Sequence, residues 1–276
     1  MRKMTFATAA SLLLMVTLTC GCGKKDRKIS KAEKIIKESA AKMAVVSSFT
    51  SSGAGKVLTP QSETKEESFT FDGVVKVAGD DQVEAQMAGT SDGKQVQTII
   101  LGGYIYEYNS NSGWKRRKLD EAGGIGTAQF VNPSTIKRMT EFAESIRLMP
   151  DEGGNYVVAF DVGGKFFDNL LAELKEQMPQ SSGAESSMME LIESVLAGID
   201  INMVLKVDKG TMLWTEASIK ASMEGVGVLG DMSTDTNLRF SEYNQPVTVS
   251  VPPEALNAPE VQQNQFQLPS LPGLGI

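Results

Sequence analysis

The chain of 276 residues carries a formal net charge of −7 and has no histidine. An acidic balance argues against nucleic acid, whose phosphates are held by Lys and Arg, and the lack of histidine removes the commonest general base, zinc ligand and pH switch. Both cysteines, Cys20 and Cys22, lie near the N-terminus, so the rest of the chain can form neither a disulfide nor a thiolate metal site.

Arg2 and Lys3 form a short positive region, and Met4 to Leu18 is mostly apolar. Such a run, about 15 residues, falls short of the ~20 that span a bilayer as a helix, which favours a removable signal. Gly21-Cys22 resembles the end of a bacterial lipoprotein signal, where a small residue precedes the cysteine that becomes the lipidated N-terminus. Thr19 departs from the usual leucine, which stands one place early at Leu18, and Cys20 fits less well as acceptor. An ordinary secretory signal is the alternative, but its Ala-x-Ala-like site is missing. Residues 1–21 are therefore expected to be a signal peptide and Cys22 the lipidation site, with membrane attachment through its acyl chains. Two chains suffice for stable anchoring where one does not. Cleavage removes Arg2 and Lys3 and shifts the formal charge from −7 to −9. Residues 22–29 form a tether reaching no more than about 30 Å. The expected location is the outer face of the cell membrane, or the periplasmic side of an envelope membrane.

Ser30-Lys31-Ala32-Glu33 reads as a capping box opening a helix. Ala32, Ile35, Ile36, Met43 and Val46 recur at helical spacing up to about Ser47. The period then changes to two. Phe69, Phe71, Val75 and Val77 share a strand face, with a break or bend expected at Gly73. Asp80-Asp81 makes a turn, and Gln82 to Ala88 continues as a strand. Ser91-Asp92-Gly93-Lys94, Gly102-Gly103 and Asn109 to Gly113 separate further strands, among them the Tyr104, Tyr106, Tyr108 run. Asn132 and Pro133 open a second helix, whose apolar face is Ile136, Met139, Ala143 and Ile146, stopped by Pro150. Tyr156 to Val162 alternates as a strand. A third helical region from Lys165 carries Phe166, Phe167, Leu170, Leu171 and Leu174. After Pro179 to Gly183 the pattern resumes at Met188.

The last third is sheet. Ile201 to Val207 alternates up to a turn at Asp208-Lys209-Gly210. Leu213, Ala217, Ile219, Ala221 and Met223 follow on one side, with Trp214, Glu216, Lys220 and Glu224 opposite. Leu238 with Phe240, and Val247 with Val249 and Val251, supply two more strands before Pro252-Pro253 ends the regular structure. Alternating strands have one buried and one wetter face. The expected architecture is α+β: one curved antiparallel half-barrel sheet with several helices on its concave side. It forms a single domain over residues 30–260, followed by a disordered tail, 261–276.

Three phrases resemble the LolA/LppX superfamily of envelope lipoproteins and lipoprotein carriers. They are Ser39 to Met43 leading through Ser48-Phe49-Thr50, Gly102 to Tyr106 through Gly113-Trp114-Lys115, and Phe240 to Val247 closing at Val251-Pro252. The resemblance implies a half-barrel wrapped around helices, and a lipid-anchored protein that binds or hands over a hydrophobic envelope ligand. It places no binding residue on this chain. Phe166, Phe167, Leu170, Leu171 and Leu174 could line a cavity for such a ligand or simply be core, and apolar stripes on helices usually pack tightly. The alternative function is a lipid-anchored interaction or sensory module that recognises another envelope protein.

No catalytic constellation, metal site or cofactor motif is expected. Lys115-Arg116-Arg117-Lys118 is the one dense basic run and reads as a solvated strand end, with a membrane headgroup contact as the alternative. Ser91…Lys94 and Ser134…Lys137 match S-x-x-K, but the companion elements of such enzymes are missing. Gly123-Gly124-Ile125-Gly126 lacks the Lys-Ser/Thr of a phosphate loop. Asp80-Asp81 and Asp231…Asp235 lack calcium-loop spacing. The 14 methionines are scattered through apolar stripes, as suits adaptable packing.

Overall fold

The computed structural model describes residues 29–58, 66–77, 83–119, 139–177, 193–194, 196–223 and 231–261. The signal, Cys20 and Cys22, Asp80-Asp81, the 123–126 glycines, the Pro133 helix start, Ser134…Lys137, Met188 and the tail beyond 261 lie outside these residues.

In chain order the elements are α1 (Lys31–Met43), then β1 (Ser48–Leu58), β2 (Glu67–Val77), β3 (Val83–Ser91), β4 (Lys94–Leu101), β5 (Tyr104–Asn109) and β6 (Gly113–Lys118). They continue as β7 (Ala143–Glu152), β8 (Asn155–Val162), α2 (Gly164–Gln177), β9 (Ile199–Asp208), β10 (Trp214–Met223), β11 (Met232–Ser241) and α3 (Pro253–Leu256). The strands form one open sheet in the order β6-β5-β4-β3-β2-β1-β11-β10-β9-β8-β7. Every neighbouring pair is antiparallel. The chain meanders outward from β1 to β6, reappears at the opposite edge as β7, and meanders back until β11 pairs with β1. Tight turns set the registers. Asp92-Gly93, Gly102-Gly103 and Gly153-Gly154 each place two successive residues at positive φ, the geometry whose twist suits a two-residue hairpin.

The inner face carries the main core. On α1, Ala32, Ile35, Ile36, Ala40 and Met43 are buried, as is Val46 just beyond it. The helix stops at Met43 rather than near Ser47 because Ser48 already belongs to β1, where its hydroxyl donates to the Gln245 carbonyl at 2.6 Å. Strand β2 runs through Gly73 without a break. A methyl group there would lie 2.2 Å from the Gln86 carbonyl oxygen, and one at Gly89 would lie 1.9 Å from that of Thr70. Glycine at these two places lets neighbouring backbones close up, which is how a sheet is curled.

Other expectations are corrected. Residues 139–141 are helical, but Ala143 to Glu152 form strand β7, paired with Asn155 to Val162. The spaced apolar residues suited a helix, yet pairing along β8 satisfies the backbone, and Pro150 is tolerated because an edge strand can spare its N–H. Trp214 faces inward and is fully buried. A register shift between Trp214 and Glu216 inserts an extra residue, so Trp214 and Ala217 lie on one side although their spacing is odd. Finally, Val247 to Val251 is extended but joins no strand, and Pro253–Leu256 adds a short helix after the expected stop.

Because Gly89 has backbone on its open side, Gly89→Ala is expected to cost about 1–3 kcal/mol, the usual range for overpacking. At ~2–4 °C per kcal/mol for a domain of this size, thermal unfolding followed by circular dichroism would show the loss. An unchanged midpoint would mean that the curl does not need this glycine.

Candidate ligand face

Among the described residues the inner face divides into a filled part and an open part. In the filled part, Trp214, Phe160, Met203 and Leu205 are fully buried. The Trp214 indole N–H donates to the Ser39 hydroxyl at 3.3 Å, and that hydroxyl donates back to the Ile36 carbonyl at 3.0 Å. This chain pins α1 to β10, while Phe49, Phe240 and Tyr243 pack around it edge-on and tilted. The Tyr243 hydroxyl donates to the Trp214 carbonyl, and burial pushes its pKa upward.

The residues expected to line a cavity fall beside this filled part. Phe166 and Phe167 are buried at 7% and 6% exposure, in edge contact with each other, and Phe166 also meets Phe142. Leu171 is half-buried against the same cluster. Leu170 and Leu174 lie on α2, and their side chains are not among those described.

The open part lies on β1 to β4. Phe71 sits opposite Gly53 and Gly89, and Phe69 opposite Gly55 and Ser91. Their rings lie over the two β1 glycines: a methyl group would meet the Phe71 ring at 2.6 Å from Gly53 and the Phe69 ring at 2.6 Å from Gly55. The two rings are stacked at 6.5 Å. Both are half-buried, as are Val57 and Val96 on the same face. Glycine leaves no side chain to stand the rings upright, so they lie flat and form a low apolar bed. The sequence showed Phe69 and Phe71 as a strand face. The missed signal was the pairing of Gly53-Ala54-Gly55 with Phe69-Thr70-Phe71 across one hairpin.

The outer face differs. A second, smaller cluster there comprises Ile99, Tyr106, Val249 and Ala255, with Val74, Leu101, Tyr104, Trp114 and Val251 packed on it. It exists because the segment after β11 crosses back over β2 to β6. Further along the outer face are two open grooves of about 570 and 450 Å³. Most of the side chains that line them are polar or charged, with Leu58, Val204 and Leu238 among the apolar ones. Lys206 bridges Glu152 and Glu216 at 2.9 Å each, and hydrogen bonding to Glu152 raises its pKa. Lys220 faces Asp235 at 3.3 Å. Among the described residues no group of three or more acidic or thiol side chains is placed to hold a metal ion.

Residues 27–260 match a family of unknown function, DUF6612. The chain belongs to that family. No curated protein matches this DUF6612 member in sequence. Solved structures similar to it include LprF from Mycobacterium bovis, at 11% identity and TM-score 0.41, covering 80% of this chain and 96% of that one. MucB in complex with MucA(peri) is similar at 10% identity and TM-score 0.34, over 81% and 60% of the two chains. The LolA superfamily protein NE2245 from Nitrosomonas europaea is similar at 11% identity and TM-score 0.27, over 79% and 94%. The open antiparallel sheet, with α1 and the Phe166–Phe167 face of α2 packed on its inner side, is the half-barrel arrangement that the alternating strands led us to expect.

The two parts of the inner face should respond differently to truncation. Phe160→Ala is expected to cost about 3–5 kcal/mol, as for a core aromatic. Phe71→Ala should cost about 1 kcal/mol or less, the scale of a cross-strand pair on a half-buried face. Urea denaturation of the two variants compares them. Equal losses would make Phe71 core.

Proposed function

We propose that this protein is a non-enzymatic envelope lipoprotein that binds, or hands over, a lipid or similar hydrophobic molecule on the inner face of its half-barrel. One observation carries the reading: the half-exposed Phe69–Phe71 ring pair, laid flat over Gly53 and Gly55 on the inner face. Half-buried aromatic rings in a concavity are the kind of lining that takes up apolar ligands. An acyl chain laid there would gain roughly 25 cal/mol for each Å² of apolar surface taken from water. The filled part acts as a rigid wall against which the open part keeps its shape. A chain without histidine fits a carrier better than a catalyst. In this reading Cys22 bears the lipid anchor, and the short tether keeps the domain close to the membrane that supplies or accepts the ligand.

Mass spectrometry of the protein purified from its host membrane should find a co-purifying lipid. Phe69→Ser with Phe71→Ser should remove most of it while the protein still melts cooperatively. Protein that is lipid-free in both forms would end the carrier reading. The anchor is checked separately. Cys22→Ser should abolish incorporation of radioactive palmitate and release the protein from membranes, whereas Cys20→Ser should do neither.

A further inference from the structure

In a chain of net charge −7, the consecutive cations Lys115-Arg116-Arg117-Lys118 are concentrated on one strand. That strand, β6, is an edge of the sheet. It pairs with β5 in unbroken register from Gly113 to Lys118, so its outer side is straight. The other edge is blunted: β7 has register shifts at Glu144/Arg147 and Met149/Glu152, contains Pro150, and places Ser145 at φ 51°. Bulges and proline defend an edge against strand addition, and so do charged side chains. Strand β6 has only its charges and the short cover of residues 259–261, and cations turn away a basic strand but not an acidic one.

The chain itself shows what β6 accepts. The Arg116 amide donates to the Pro259 carbonyl at 3.1 Å, and the Val261 amide donates to the Arg116 carbonyl at 2.9 Å. Together they form a parallel bridge between Arg116 and Glu260. The Arg116 guanidinium lies 3.5 Å from the Glu260 carboxylate, donates to the Leu256 carbonyl at 2.8 Å, and sits 5.6 Å over the Tyr104 ring. On the inner side Arg117 pairs with Glu107 at 3.1 Å, and Lys115 is exposed. The self-contact is one bridge long, on a strand of six residues. It resembles strand addition, in which backbone bonds give affinity and side chains select the partner. Here the selecting interaction is a carboxylate on a basic strand.

We propose that β6 is a docking edge for an extended acidic segment of another envelope protein, and that residues 259–261 occupy it in cis as a latch. The partner adds as a strand along β6, takes over the amide and carbonyl of Arg116, and sets carboxylates of its outer face against Arg116 and of its inner face against Lys115. The inference does not depend on what the inner face binds.

The test uses the mature chain, its Glu260→Ala/Val261→Pro variant to open the latch, and a fluorescent nine-residue peptide of three Glu-Glu-Val repeats, which carries carboxylates on both faces of a strand. The peptide is expected to bind the open-latch variant at least tenfold more tightly than the wild type, with binding weakened by salt. Amide exchange over residues 113–118 should slow on binding. Lys115→Glu, at an exposed position, should weaken binding severalfold without altering the melt. Any one of four results would overturn the proposal. They are no binding to the open-latch variant, equal binding of a Lys/Val peptide, protection outside β6, and capture by phosphatidylglycerol vesicles without capture by the peptide.

Discussion

Everything in this molecule hangs on the pairing of its first strand with its last. Thr50 to Leu58 of β1 run against Ser233 to Ser241 of β11, and this seam turns two separate meanders into one sheet. A meander of five or six strands alone would bury one face poorly. Joined, the two present a single inner face wide enough for α1 and α2 to cover in part. The seam is reinforced at its end by side chains: the Asn244 carboxamide accepts from the Ser47 amide at 2.8 Å, and the Ser47 hydroxyl lies 3.1 Å from it. Thr50 donates to Glu242 at 2.7 Å. Glu242 and Asn244 both take positive φ, a conformation that costs free energy and is held here by those contacts.

From that seam the two sides of the sheet acquire different characters. Toward β7 the strands carry large inward residues, and the helices close over them. Toward β4 the inward row contains Gly53, Gly55, Gly73 and Gly89, so the sheet curls and the remaining rings lie low. One choice of residue type thus produces both the curvature and the apolar bed. The outer face needs no helix on its polar part, where Lys206, Lys220 and their carboxylate partners meet water. It does need cover over Ile99 and Tyr106, and the segment after β11 supplies it.

Much of this was legible in the sequence. The strands with strict alternation, such as Met203-Val204-Leu205-Lys206-Val207, sit as their pattern dictates, and the hairpin turns were readable from Asp92-Gly93 and Gly102-Gly103. The failures share a cause. Trp214 was assigned to the wrong face because a bulge changes parity without leaving a compositional mark. Ala143 to Glu152 looked helical because apolar spacing does not report the partner that finally holds the backbone. Val247 to Val251 alternates like a strand, yet its valines answer to one neighbouring surface and its backbone has no partner strand. The contact of Arg116 with Glu260 was not visible because the two residues lie 144 positions apart in the numbering. The apolar bed was hidden for the same reason: it belongs to a pairing of glycines with phenylalanines, not to either stretch alone.

The seam between β1 and β11 also has a consequence for how the chain reaches its native state. Contacts between residues nearly 200 positions apart are slow to form, because a long loop must close before they contribute. Ribosomes deliver β1 early and β11 almost last. Throughout that interval the inner edge of the first meander has no neighbour, and its glycine-lined strands offer little steric resistance to a wrong one. A molecule built this way depends on being kept apart from its siblings until its final third arrives.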